Sequence, residues 1–259
     1  MIILGKGEKE IRTLDDWKEL GSPKGKDAHW VNGRSAKECA RAWCEGPQGL
    51  GVPAELTALL DSHRDTRGAE VERVIAEHRV PFDEQAGEPR NTDVAAVATH
   101  PAGRIAISVE AKADESFGPL VRGVLAGAVK KIAADERTFA VERVKDLAES
   151  ILPPRTEGAS ALGDLRYQLL TGVAGALAYA REARAERAVF IVHEFVSGKT
   201  TEKKRQANAR DLDAFVARLT QGRVRSLEPG RLIGPLAVHG APLFAGAVPL
   251  YIGKAQRNV

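Results

Sequence analysis

Hydrophobic residues alternate with period 2 in two neighbouring stretches. Residues 104–112 read Arg-Ile-Ala-Ile-Ser-Val-Glu-Ala-Lys. Ile105, Ile107, Val109 and Ala111 take one face of that stretch, and Ala106, Ser108, Glu110 and Lys112 take the other. Residues 92–98, Thr-Asp-Val-Ala-Ala-Val-Ala, alternate as well. His100-Pro101-Ala102-Gly103 between them has turn chemistry, so the two strands are expected to form a hairpin. Val189–Phe195 reads as a strand of the kind buried on both faces. The Gly/Pro-punctuated segment from 224 onward predicts short strands at Leu232–Leu236 and Val248–Ile252.

Helical spacing accounts for most of the rest. Ser35 and Glu38 have capping-box spacing, which predicts a helix over Ala36–Trp43 stopping near Gly46. Pro53 opens another that runs to His63, with Leu56, Leu59 and Leu60 on one face. Val71, Val74, Ile75 and His78 continue the helical spacing over 68–78, and Arg79–Asp83 reads as a short extended edge bearing Pro81. A helix over 119–134 presents Leu120, Val121, Val124, Leu125, Ala128, Val129 and Ile132 on a broad apolar face. Further helices are expected at 138–150, before Pro153-Pro154, at 161–185 and at 203–220. Residues 1–30 read as an irregular lead with a loop at Gly21-Ser22-Pro23-Lys24-Gly25. The expectation is one α/β domain over 1–259, with a core at about 54–196, a helical extension over 1–53 and a helix and β-rich tail over 197–259.

Composition narrows the class. The chain has 259 residues, 43% hydrophobic and 28% charged, which excludes disorder, collagen and a disulfide-stapled miniprotein. No apolar run reaches about 18 residues, so no membrane span or membrane partner is expected. The first residues turn charged without an apolar signal core. Cys39 and Cys44 stand five apart inside a predicted helix, a spacing that suits two free thiols and a reducing, cytoplasmic setting. The net charge of +3 permits a polyanionic partner without demanding one.

The chemistry gathers on the hairpin. Period 2 sets Glu110 and Lys112 on one strand face roughly 6–7 Å apart, where Asp93 on the adjacent strand can meet them. Two carboxylates with an open coordination sphere suit Mg²⁺ or Mn²⁺, hard ions that keep their waters. Such an ion polarises a phosphodiester and acidifies a bound water, and a nearby ammonium stabilises the developing charge. An acidic-x-Lys triplet alone means little, because about two arise by chance. Asp16-Trp17-Lys18 and Glu202-Lys203-Lys204 are others. The strand pattern and the upstream Asp93 single out Glu110-Ala111-Lys112.

Over 54–196, the order helix, three strands, inserted helices, long helix, strand, with Asp93 and Glu110-Ala111-Lys112 at those places, resembles the PD-(D/E)XK nuclease superfamily. Thr92 stands where that motif often has Pro. The resemblance implies a restriction-endonuclease-like αβββαβ core with a mixed sheet and inserted helices. It also implies a Mg²⁺-dependent endo- or exonuclease acting on nucleic acid, DNA first. Asp93 and Glu110 would bind metal and Lys112 would activate or orient the water. A third acid from the first core helix would be Glu70, with Glu72 second, and Gln168 would lie near the scissile phosphate. Gln168, Gly172, Gly175 and Tyr179 share one helix stripe, and the glycines suit close packing. Arg166 and the basic cluster Lys199, Lys203, Lys204 and Arg205 are the expected phosphate contacts; residues 199–210 carry a net +4. The alternative is a catalytically silent binding or scaffold subunit of a nucleic-acid-processing or defence complex. A homodimer or a partner subunit is compatible with either.

Overall fold

In the computed structural model, which describes residues 1–22, 30–46, 49–85 and 89–259, the predicted hairpin lies at the centre of a seven-stranded mixed sheet. Strands β3 (Arg90–Thr99) and β4 (Ile105–Lys112) pair antiparallel. Their turn is closed by the Gly103 N–H on the His100 carbonyl at 2.9 Å. Gly103 has a φ of 102°, which only glycine adopts easily. On one side β3 pairs antiparallel with β2 (Glu70–Val80), which carries β1 (Ile2–Leu4) parallel at the edge. On the other side β4 pairs parallel with β5 (Arg187–Val196), and β5 pairs parallel with β7 (Leu250–Asn258). Strand β6 (Arg231–Leu236) closes the second edge, antiparallel to β7. All eight residues of β4 are buried, as befits a strand covered on both faces.

Seven α-helices, among the described residues, cover the two faces. One layer holds α4 (Val121–Ala133), α5 (Ala140–Ile151), α6 (Tyr167–Glu182) and α7 (Glu202–Leu219). The other holds α1 (Leu14–Leu20), α2 (Ser35–Cys44) and α3 (Ala54–Asp61), with Trp43, Leu56 and Leu59 against Ile107 and Ile191. Helix α6 lies nearest the sheet because Gly172 admits the ring of Phe190, which a Cβ there would approach to 2.7 Å. The predicted packing use of the glycine stripe is therefore met.

Several expectations are corrected. Residues 68–78 are not helical: β2 starts at Glu70. Its apolar residues mimic helical spacing because a bulge between Val71 and Arg73 breaks the alternation. The irregular lead contains β1 and α1, the latter capped by Thr13 and Asp16; the expected loop at 21–25 falls, from Pro23 on, outside the described residues. Ser35 lies inside α2 rather than capping it, and Glu38 instead accepts the Gly33 N–H at 2.7 Å. On α4, Val129 and Ile132 are exposed, not core. The helix expected over 161–185 begins only at Tyr167, after a short 3₁₀ turn at Leu162–Asp164. The strand expected at 248–252 runs on to Asn258.

Candidate active site

The β3–β4 ladder pairs Val94 with Val109, and Asp93 and Glu110 occupy the next rung. There the Asp93 carboxylate turns inward and accepts the Ala111 N–H at 2.7 Å. Glu110 is 2% exposed and is ringed by donors. Its Oε1 accepts from Lys112 Nζ at 2.6 Å and from Gln168 Nε2 at 2.7 Å. Its Oε2 is ion-paired with Arg90. Lys112 is 7% exposed, not the loosely held strand end its position suggests, and its ammonium lies 5.5 Å from the centroid of the Phe117 ring. Gln168 reaches the group from the first turn of α6. Arg90 reaches it across α6 because Gly175 leaves room: a Cβ there would come within 2.9 Å of the arginine stem.

The rung that holds Asp93 is irregular in β2 as well as β3. Glu77 lies between the pairs Ala76–Val94 and His78–Thr92, and so across from Asp93. Its φ of 53° is left-handed, which costs about 1–3 kcal/mol in a non-glycine residue. Before it, Val74 and Ala76 pack into the α1–α3 layer. After it, Val80 packs into the α6 layer and His78 meets the Tyr179 ring edge-on at 5.2 Å. In β3, Thr92 lies close to Gly175 of α6 while Val94 faces the opposite layer. Both strands thus change faces at the rung shared by Glu77 and Asp93, and Asn91 donates to the Glu77 carboxylate.

The charges explain one another. Burial, then the neighbouring Glu110, pushes the Asp93 carboxyl up to about 7, against the pull of Lys112. Burial, then Asp93, pushes Glu77 up to about 8. Burial acts on Glu110 in the same direction, but Arg90 and Lys112 outweigh it and hold that carboxyl below its ordinary value. Burial alone would lower Lys112, yet Glu110 and Asp93 raise it. The buried Cys39 thiol of α2 is raised by burial first, then by Asp93 and Glu77. The acids are therefore felt on both sides of the sheet.

Of the residues singled out by sequence, Asp93, Glu110, Lys112 and Gln168 come together. Glu70 does not: it opens β2, exposed and paired with Thr99, six residues along the ladder from Asp93 and so roughly 20 Å away. Glu77 takes the place expected of it. Arg166 spends its guanidinium on Asp211 at 2.8 Å and on the Gly118 carbonyl at 2.6 Å, tying α6 to α7. Lys204 lies 3.2 Å from Asp114, two residues past Lys112, which brings the start of α7 beside the site. Lys199 and Lys203 are exposed there, and Arg205 pairs with Glu202 at 3.4 Å. Glu115 accepts from Ser35 Oγ at 2.5 Å and from the Ala113 N–H at 2.9 Å, fixing the end of β4 to α2. Sequence reading missed Glu77 and Arg90; the pair of polar residues Arg90-Asn91 leading into the strand was the available signal.

No three His, Cys, Asp or Glu side chains among the described residues are grouped as a metal cage. Asp93 and Glu110 are the pair able to take a hard cation, which is usually held through one or two carboxylates and its own waters. An Asp raised by burial and a like charge is also a group that a cation would relieve. No helix among the described residues is long and apolar enough to cross a membrane. A family model described as Domain of unknown function (DUF6946) matches residues 10–254. No curated protein and no solved structure matches the chain.

Proposed function

The chain belongs to that family, whose description names no chemistry, and from the site itself we propose a metal-dependent nuclease that hydrolyses phosphodiester bonds of nucleic acid, DNA first. The observation that carries this reading is the Lys112–Glu110–Gln168 cluster, bonded at 2.6 and 2.7 Å, beside Asp93 at the end of its ladder. The order α3–β2–β3–β4–α6–β5, with β4 and β5 parallel, supports a restriction-endonuclease-like core.

Asp93 and Glu110 would hold Mg²⁺ or Mn²⁺. Such an ion, when bound, polarises the phosphate and lowers the pKa of a bound water. The chain's own groups do the rest. Lys112, kept charged by Glu110 and Asp93, orients the attacking water and stabilises the developing negative charge. Gln168 fixes Glu110 through its amide nitrogen, which leaves its carbonyl oxygen to accept a further bond. Lys199 and Lys203 supply phosphate contacts at the rim. A cytoplasmic site of action accompanies this reading, in keeping with the free thiols of Cys39 and Cys44.

One feature favours a second reading, a nuclease-fold binding or scaffold subunit that does not cleave. Both oxygens of Glu110 are occupied by Arg90, Lys112 and Gln168, so an entering ion competes with a resident guanidinium. Incubation with plasmid, linear duplex, single-stranded DNA and RNA, in Mn²⁺ and in EDTA, separates the two. The enzyme reading expects metal-dependent cleavage of at least one substrate. It also expects a loss of about 10²-fold or more in Lys112→Met, the scale of one preorganised charge. Silence on every substrate with retained binding selects the scaffold.

A further inference from the structure

Lys112 meets Glu110 on its own strand, and across the sheet its rung continues into β5 and β7, both parallel to β4. Two successive rungs at the carboxyl ends of these strands read Glu110–Val192–Lys254 and Lys112–Glu194–Gln256. Val192 and Ile252 pack into the α4–α7 layer, so alternation sets Glu194 and Lys254 on the face that carries Glu110 and Lys112. Glu194 is 2% exposed and Lys254 7%. Lys254 Nζ lies 3.0 Å from Glu194 Oε2, but not in hydrogen-bond geometry. That oxygen is buried without a donor, and the three N–H groups of Lys254 have no acceptor among the described residues.

A buried ion pair is weak evidence for stability, because apolar residues of similar volume often serve as well or better. A buried ammonium with its donors unused is a place for an oxyanion. Its position agrees, since ligands of open α/β sheets bind beyond the carboxyl ends of parallel strands. Strands β4 and β7 stand two strand spacings apart, about 10 Å, the span of two or three phosphates at about 3.4 Å of axis each. We propose that Lys254 is a second phosphate-binding residue of the site. It contacts a backbone phosphate one or two positions from the scissile one, and Glu194 is the counter-charge it leaves when nucleic acid enters. The substrate strand then crosses the carboxyl ends in the order β4, β5, β7. The word scissile rests on the nuclease reading; the contact itself needs neither metal nor cleavage.

The test is therefore run in EDTA, by fluorescence anisotropy with a short labelled oligothymidylate and with a labelled blunt duplex. Glu194→Leu together with Lys254→Met replaces the pair by apolar groups and removes one charge of each sign. The net charge is unchanged, so a weaker hold on nucleic acid cannot come from the overall field. The double variant is expected to lose about 10-fold in affinity for at least one probe. Its salt slope should fall by about 0.7 for the single strand or about 0.9 for the duplex, the value of one phosphate contact. Its thermal midpoint should be no lower than that of the wild type. Glu194→Gln, which disturbs the same pair but keeps the ammonium, should bind tighter than the wild type. In Mn²⁺ the double variant should raise KM with kcat nearly unchanged, where Lys112→Met lowers kcat. Wild-type affinity in the double variant, an equal loss in Glu194→Gln, a loss of kcat at constant KM, or a wild-type protein that binds neither probe each overturns the inference. A protein that cleaves nothing in Mn²⁺ but shows the expected binding pattern loses the nuclease reading and keeps the Lys254 contact.

Discussion

Arg90 at the head of β3 and Glu110 near the end of β4 form an ion pair beneath α6. The arginine holds a Glu110 oxygen that a divalent ion bound there would need, so the two cations would compete. Arg90→Gln is expected to tighten Mn²⁺ binding by about 10-fold, the scale of one adjacent charge, as read by isothermal titration. Breaking a buried pair also costs stability, about 3 kcal/mol. Unchanged Mn²⁺ affinity in a folded Arg90→Gln would remove Glu110 from the ligand set.

The two glycines of α6 make separable predictions. Gly172→Ala drives a methyl into the Phe190 ring, a rigid neighbour. Chemical denaturation should show a loss of about 1–3 kcal/mol. Gly175→Ala presses on the flexible stem of Arg90 at 2.9 Å, with Thr92 Oγ1 in ordinary contact at 3.6 Å. Moving that stem loosens the Arg90–Glu110 pair, so stability should fall by up to the about 3 kcal/mol of Arg90→Gln, and Mn²⁺ binding should tighten in step with it.

Asp93 and Glu77, raised to about 7 and about 8, bind protons more tightly folded than unfolded. Stability from their neutral forms is complete below the unfolded values near 4 and fades as pH rises through 7 and 8. Glu110, held below its ordinary value, works the other way: its contribution is present above that value and is lost on acidification below it. Thermal melts should thus show a midpoint that falls from pH 5 to pH 8, and Asp93→Asn should flatten that fall. A midpoint that rises over this window contradicts the assignment.

Glu77 and Glu70 are distinguished by substitution. Glu77→Gln should impair metal-dependent cleavage or Mn²⁺ binding, because the side chain faces Asp93. Glu70→Gln, on the exposed start of β2, should leave both unchanged and shift stability by no more than about 0.5 kcal/mol. The reverse result would place the third acid at the far end of the strand.

The hairpin was legible because β3 and β4 keep a clean alternation through Val94–Val109, and Asp93, Glu110 and Lys112 came with it. Gln168 was legible from its stripe with Gly172 and Gly175. Strand β2 was not. Its bulge at Val71–Arg73 and its left-handed Glu77 twice interrupt the period on which a strand reading depends. Glu77 was hidden by the same irregularity that aims it at Asp93. The exposed Val129 and Ile132 mislead in the opposite sense, since an apolar stripe on α4 reads as core wherever it points.

Strand β7 lies between β5 and β6, and its first partner, Ala188, is paired with Leu250, 62 positions further along the chain. Until residues 250–258 arrive, β5 is an open edge with its ladder groups unmet, beside the strand that carries Glu110 and Lys112. Closing so long a connection is slow compared with forming the β2–β4 meander. The site residues are thus expected to be framed on one side early and on the other only when the sheet is finished, so the Asp93–Glu110–Lys112 group takes its final form among the last features of the fold.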